Sequence, residues 1–249
     1  MEKLLSLNKV CKTYYTDKCE INALDNINLD VYEGDFIGIV GPSGCGKSTL
    51  LSIIGNLEDM TSGEIRMISD LKVGYMLQDD SLFDWLTIYE NCMLGLKINK
   101  MCTKENIANV KKLLKKYGLY EFINNYPSDL SGGMRQRVAL IRTLAVKPDI
   151  LLLDEPFSAL DYYTRLKVSN DVLNIIRNEK KTLIIVTHDI SEAISMSKKV
   201  IVMGNRPSKI KKVYDINYKE ERDNPIKNRS SKEFMEYYEK IWEDLTNEK

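Results

Sequence analysis

The chain has 249 residues, with 36 Lys plus Arg balanced by 36 Asp plus Glu and a formal net charge of zero. That length suits one large domain, or a domain with an insert, around a full core. The charge balance argues against a general nucleic-acid binder, which carries a basic excess, and no run approaches the ~18 consecutive apolar residues of a spanning helix.

The opening "MEKLLSLNKV" is charged at once and has no apolar h-region, which predicts a protein that stays where it is made. Five cysteines, at 11, 19, 45, 92 and 102, form no CxxC pair, so reduced thiols are expected, with no disulfide or zinc framework. Apolar, β-branched runs then recur: "FIGIV" (36–40), "VGYML" (73–77), "ILLL" (150–153), "TLIIV" (182–186) and "KVIVM" (199–203). Several are unbroken, as in strands buried on both faces of a parallel sheet. Helical patterns follow them, giving an α/β core.

Between residues 86 and 146 the texture is helical. Thr87-Ile-Tyr-Glu90 is a capping box, in which side chains satisfy the free amides of a helix start. "KENIANVKKLLKKYGL" (104–119) is amphipathic and ends at Gly118; its "KKLLKK" reads as a solvated face more readily than as a membrane patch. The expected division is an α/β core over 1–85 and 147–216, a helical insert over 86–146, and a helical tail over 217–249. In that tail Phe234, Tyr238, Ile241, Trp242 and Leu245 share one face, and Ser230 with Glu233 offers a second capping box. The face serves either to dock the tail on the body or to contact a partner.

The chemistry starts at Gly41-Pro42-Ser43-Gly44-Cys45-Gly46-Lys47-Ser48-Thr49, which fits G-x-x-x-x-G-K-[ST] between a buried strand and the helix "STLLSII". Glycines let the backbone wrap so that successive amides and the helix dipole face phosphates. Lys47 is expected to bridge the β- and γ-phosphates, Ser48 to hold Mg²⁺, and Thr49 to lie near the α-phosphate; nothing requires a thiol at Cys45. "ILLLDEP" (150–156) carries Asp154 to a strand end, where it can hold the Mg²⁺ shell, with Glu155 beside it to take a proton from the attacking water. His188, the single histidine, ends "LIIVT", and Gln78 ends "VGYML". Those positions suit contact with the γ-phosphate and with Mg²⁺ and the attacking water, respectively.

A second anion-friendly helix start stands far from the first: "LSGGMRQR" (130–137) puts Ser131 and the pair Gly132 and Gly133 before an Arg-rich helix. The order GPSGCGKST, Gln78, LSGGM, ILLLDEP, SALD (158–161) and TH (187–188) resembles an ATP-binding cassette (ABC) transporter ATPase over residues 4–245. The resemblance implies a P-loop core with a mostly parallel sheet, an antiparallel β-subdomain and a helical insert. It implies ATP and Mg²⁺ as cofactors, with Mg²⁺ held by Ser48, Gln78 and Asp154. It also implies pairing of two cassettes head to tail, so that Ser131, Gly132, Gly133 and Asp161 act in trans on the partner's ATP.

By the same resemblance Tyr14 in "VCKTYY" stacks on adenine, with Tyr15 the competitor, and residues 79–91 receive a coupling helix from a membrane permease. Phe83, Trp85 and Leu86 are its expected anchors, unless Trp85 fills a seam between subdomains. "QDDSLFDWLTIYEN" and "HDISEAISMSKKVIVMGNRPSKI" are similar to importers of nitrate, sulfonates and taurine, as is the tail "RSSKEFMEYYEKIW". Arg206 in "RPSKI" can be read as an anion site; since transported solute never enters the cassette, it is expected to be structural. The connection "SGEIRMISDLKVGYMLQ" is shorter than in these cassettes, which suggests a trimmed β-subdomain.

The expected protein is therefore an ATP-hydrolysing subunit on the cytoplasmic face of the membrane. Its expected partners are permease subunits and, indirectly, an extracytoplasmic binding protein, with no nucleic acid. The alternatives are an exporter or lipoprotein-release cassette, or a soluble ABC ATPase acting on nucleic acid.

Overall fold

The computed structural model describes residues 2–16, 19–218 and 228–246. In chain order the strands are β1 (Lys3–Tyr15), β2 (Glu20–Tyr32), β3 (Phe36–Val40), β4 (Ser62–Met67), β5 (Val73–Met76), β6 (Ile150–Asp154), β7 (Thr182–Val186), β8 (Lys199–Met203) and β9 (Ile210–Asp215). The α-helices are α1 (Lys47–Ile54), α2 (Ile88–Ile98), α3 (Lys104–Lys116), α4 (Gly132–Ala145), α5 (Tyr162–Asn178), α6 (Ile190–Met196) and α7 (Lys232–Thr246). They fall into two compact units, Met1–Leu71 with Thr182–Lys249, and Lys72–Lys181.

In the first unit β1 pairs antiparallel with both β2 and β4, giving a three-stranded sheet of order β2-β1-β4. This is the antiparallel β-subdomain the resemblance implied, present despite the short connection after β4. Beside it β3 lies parallel between β7 and β8, and β9 returns antiparallel to β8. Every residue of β3 and β7 is buried, which is why both read as unbroken apolar runs.

In the second unit β5 and β6 are parallel, with Tyr75 opposite Leu152, and α2 to α5 make up most of the rest. Helix α2 starts with the expected capping box of Thr87 and Glu90. Helix α3 buries Val110, Leu113 and Leu114 and leaves Lys111, Lys112, Lys115 and Lys116 exposed, so "KKLLKK" is a solvated face. It stops as the sequence suggested: Gly118 sits at φ +72°, a left-handed conformation that glycine adopts without strain. All five cysteines are free thiols, and among the described residues no helix is long and apolar enough to cross a membrane.

The tail reading is partly corrected. Residues 219–227 and 247–249 of the expected 217–249 segment lie outside the described residues. The rest forms α7, whose Phe234 and Ile241 pack on Val40, Ile190, Ile194, Val200, Val202 and Tyr214. Tyr238 and Leu245 are partly buried against the same cluster, while Trp242 is 54% exposed. The cap is Ser231 and not Ser230: its hydroxyl accepts from the Phe234 amide at 3.2 Å and donates to the Asn228 carbonyl at 2.8 Å. The phase that buries Phe234 and Ile241 sets the first turn one residue later than the S-x-x-E pattern suggests, which leaves Glu233 without the box role.

Ile241→Ala should therefore lower unfolding free energy by about 2–5 kcal/mol through loss of burial and a residual cavity. Trp242→Ala should lower it by about 1 kcal/mol or less. Urea denaturation of the two variants beside the parent checks this; equal losses would show that the aromatic face, not the Phe234–Ile241 stripe, holds the helix.

Candidate functional site

The phosphate-loop residues are built on β3. Where the strand ends, Gly41 leaves no room for a side chain: a β-carbon there would lie 2.9 Å from Cys45 Sγ and 3.0 Å from the Met203 carbonyl oxygen. Cys45 is 2% exposed, a small residue packed beneath the turn. Gly46 caps α1 with φ +111° and provides no side-chain hydrogen bond, so the first amides of α1 face the loop. A β-carbon on Gly46 would also collide with Leu24 Cδ2 at 2.9 Å.

Lys47 is 5% exposed, and its ammonium donates to the carbonyls of Gly41 at 2.9 Å and Pro42 at 3.0 Å. A buried cation is thereby held against two consecutive loop carbonyls. Ser43, Gly44 and Ser48 are exposed along the rim. Of the two tyrosines weighed for adenine, Tyr14 places its hydroxyl 3.4 Å from Thr49 Oγ1, and Lys12 Nζ stands 4.8 Å from its ring centre. Tyr15 is 69% exposed.

His188 follows β7, the strand beside β3, and is exposed. A closed set of hydrogen bonds fixes its turn. The Thr187 amide donates to the Ile39 carbonyl at 3.2 Å, and its hydroxyl donates to the buried Glu192 carboxylate. The Asp189 amide donates back to Thr187 Oγ1 at 3.1 Å, and the Glu192 amide donates to Asp189 Oδ1 at 3.2 Å. Glu192 went unnoticed in the sequence, where it is simply an acidic residue four positions past a histidine.

In the second unit Asp154 ends β6 and is 8% exposed. The Tyr75 hydroxyl donates to its Oδ2 at 3.2 Å, a contact the sequence could reveal only once the β5–β6 register was known. Glu155 has φ +44°, a left-handed conformation that strains a non-glycine residue. Gln78 lies two residues past β5 and is exposed.

Ser131, Gly132, Gly133 and Asp161 line one cleft of about 370 Å³ with Arg137, Leu160, Thr164, Lys167 and Asp171. Ser131 caps α4, accepting from the Met134 amide at 3.4 Å, and Asp161 caps α5, accepting from the Thr164 amide at 3.1 Å. Hydrogen bonds from Thr164 hold the Asp161 carboxyl below its ordinary range. A β-carbon on Gly133 would lie 2.6 Å from Val168 Cγ2, so α4 meets α5 closely only with glycine there.

Helix α4 also grips the segment after Gln78. Arg135 Nε contacts Asp80 at 2.9 Å while its Nη1 donates to the Leu130 carbonyl at 3.1 Å, and Arg142 donates to the carbonyls of Ser81 and Asp80 at 2.7 and 2.8 Å. Asn91, fully buried, bonds the Phe83 amide and the carbonyls of Phe83, Leu86 and Thr87. On this braced segment the Phe83 and Trp85 rings lie 4.9 Å apart; Trp85 is 73% exposed and does not fill a seam, while Phe83 and Leu86 are half-buried.

Residues 24–158 match the ABC transporter family. The chain belongs to the ABC transporter ATP-binding family. It is 42% identical to the uncharacterized ABC transporter ATP-binding protein YtlC of Bacillus subtilis, covering 98% of this chain and 96% of that protein. It is 38% identical to the aliphatic sulfonates import ATP-binding protein SsuB of Bacillus anthracis, covering 95% and 94%. A dimeric structure of the ATP-binding cassette MJ0796, in a post-hydrolysis state bound to ADP and Pi, superposes with a TM-score of 0.72 at 34% identity, covering 86% of this chain and all of that one. The protein is thus an ATP-binding, ATP-hydrolysing cassette with the P-loop ABC fold.

Proposed function

We propose that this cassette is the ATP-hydrolysing subunit of a membrane importer for a small solute of the nitrate, sulfonate or taurine kind, acting as a head-to-tail pair on the cytoplasmic face. The observation that carries the in-trans reading is the cleft at the start of α4. Within the second unit Ser131, Gly132, Gly133 and Asp161 converge there at a helix start, beside Arg137 and Lys167 as well as Asp171. The dimeric MJ0796 cassette supports pairing, and the name of SsuB supports import of an organic anion. A permease helix seated over Phe83, Trp85 and Leu86, with an extracytoplasmic binding protein beyond it, completes the reading.

In this mechanism the amides of 41–49 and Lys47 hold the β- and γ-phosphates, and Tyr14 faces adenine. Ser48, Gln78 and the buried Asp154 are oxygen donors of the hard kind that suits Mg²⁺, which usually takes one or two protein carboxylates alongside phosphate oxygens. When bound, Mg²⁺ neutralises charge on the β- and γ-phosphates. Glu155 accepts the proton of the attacking water as the new oxygen–phosphorus bond forms and the bond to ADP breaks. His188 contacts the γ-phosphate from its braced turn, and Ser131 with Gly132 and Gly133 of the partner closes over the same group.

Three variants separate these roles. Glu155→Gln should lose about 10²–10⁴-fold in turnover yet accumulate as a dimer on size exclusion with MgATP. Lys47→Ala should lose nucleotide binding itself, whereas Ser131→Arg should bind ATP as a monomer and fail to dimerise. Equal loss of ATP binding in Lys47→Ala and Ser131→Arg would contradict the in-trans assignment.

The partner surface has its own test. Phe83→Asp with Trp85→Ala should abolish co-purification with the permease encoded nearby, since aromatics at a docking groove contribute about 2 kcal/mol or more each. Full retention of the complex would place the docking surface elsewhere.

A further inference from the structure

One charged group lies against the phosphate loop without a role. After β8 the chain makes a tight turn through residues 204–208. Gly204 N–H donates to the Lys209 carbonyl at 3.0 Å, and the fully buried Ser208 hydroxyl donates to the Gly204 carbonyl at 2.9 Å. The turn is laced to residues 23–25: Ser208 N–H donates to the Ala23 carbonyl at 3.0 Å, and Asp25 N–H to the Ser208 carbonyl at 2.9 Å. Ala23 and Leu24 are the residues against which Gly46 packs, and Met203 is the residue against which Gly41 packs. The turn is therefore fixed to both ends of the loop.

Arg206 sits at its apex. A β-carbon on Gly44, which has φ +71°, would lie 3.2 Å from the Arg206 Nη2. The neighbouring Lys209 is neutralised by Asp25 at 3.0 Å, whereas Arg206 has no hydrogen bond or ion pair among the described residues. Arg206 is exposed, so water solvates its charge, and an anion held by the loop amides and Lys47 is one that its guanidinium could share. The guanidinium's planar fork matches phosphate oxygens bidentately.

We propose that Arg206 is a phosphate-binding residue of the nucleotide site, a second side-chain cation that joins Lys47 in holding the polyphosphate of the bound nucleotide. This rests on the reading of 41–49 as the nucleotide loop. It replaces the sequence expectation that Arg206 is structural: the anion is the nucleotide, not the transported solute.

Calorimetric titration of the full chain with ATP, AMP and inorganic pyrophosphate tests it, with Arg206→Ala, Arg206→Lys and Lys47→Ala beside the parent. Arg206→Ala should bind ATP and pyrophosphate roughly tenfold more weakly, with AMP little changed and a shallower salt dependence. Arg206→Lys should recover part of the loss. Parental ATP and pyrophosphate affinity in Arg206→Ala would overturn the proposal, as would an equal loss for AMP, which would show that the residue shapes the loop. Should Arg206→Ala fail to fold, Arg206→Gln, which keeps a hydrogen-bonding head, serves in the same comparison. Parental ATP binding in Lys47→Ala would instead remove the nucleotide-loop reading, a separate result.

Discussion

The chain must leave a fully buried strand, turn its backbone amides inward and enter a helix within six residues, all around one buried ammonium. That constraint at residues 41–47 fixes much of the first unit. Gly41 admits Cys45 and the Met203 carbonyl at close range, and Gly46 adopts a φ of +111° against Leu24. Lys47 fills the centre by donating to two loop carbonyls. A larger residue at either glycine meets atoms under 3.0 Å away, so loop geometry and packing cannot be varied independently. Strands β7 and β8 flank β3 for the same reason: only a strand covered on both sides presents its end this rigidly, and His188 and Arg206 are delivered from those two neighbours.

The second unit solves a related problem differently. Its anion-ready helix start is open because Gly132 and Gly133 let α4 pass close to Leu160 and Val168, and Ser131 caps the helix while staying at the surface. The bonds of Arg135 reach from Leu130, one residue before that cap, to Asp80, two residues after Gln78. Asn91 then fixes the stretch from Phe83 to Thr87. The signature helix and the aromatic segment are thus parts of one hydrogen-bonded body, as the proposed coupling between a permease and the opposing nucleotide requires.

Much of this was legible beforehand, because the chemistry is local in sequence. The strands 36–40, 182–186 and 199–203 follow from unbroken apolar runs, and the cap at Thr87 from its S/T-x-x-E spacing. What was not legible depends on partners brought close by the fold. Tyr75 meets Asp154 through strand register, Glu192 holds Thr187 across a helical turn, and Arg206 reaches Gly44 through a turn that no periodicity marks. The cap of α7 was misplaced by one residue because two serines stand side by side and only packing phase chooses between them. The left-handed conformation of Glu155 likewise has no signal in its residue type.

The central claim is that each nucleotide is completed by two chains, and mixing two inactive variants tests it most directly. Lys47→Ala breaks the phosphate loop, and Ser131→Arg breaks the opposing helix start. A mixed pair contains one composite site in which both elements are intact. ATPase activity appearing in the mixture, where neither variant alone has it, is the predicted result. A mixture no more active than its separate components would contradict the account and return both glycine-rich elements to a single chain.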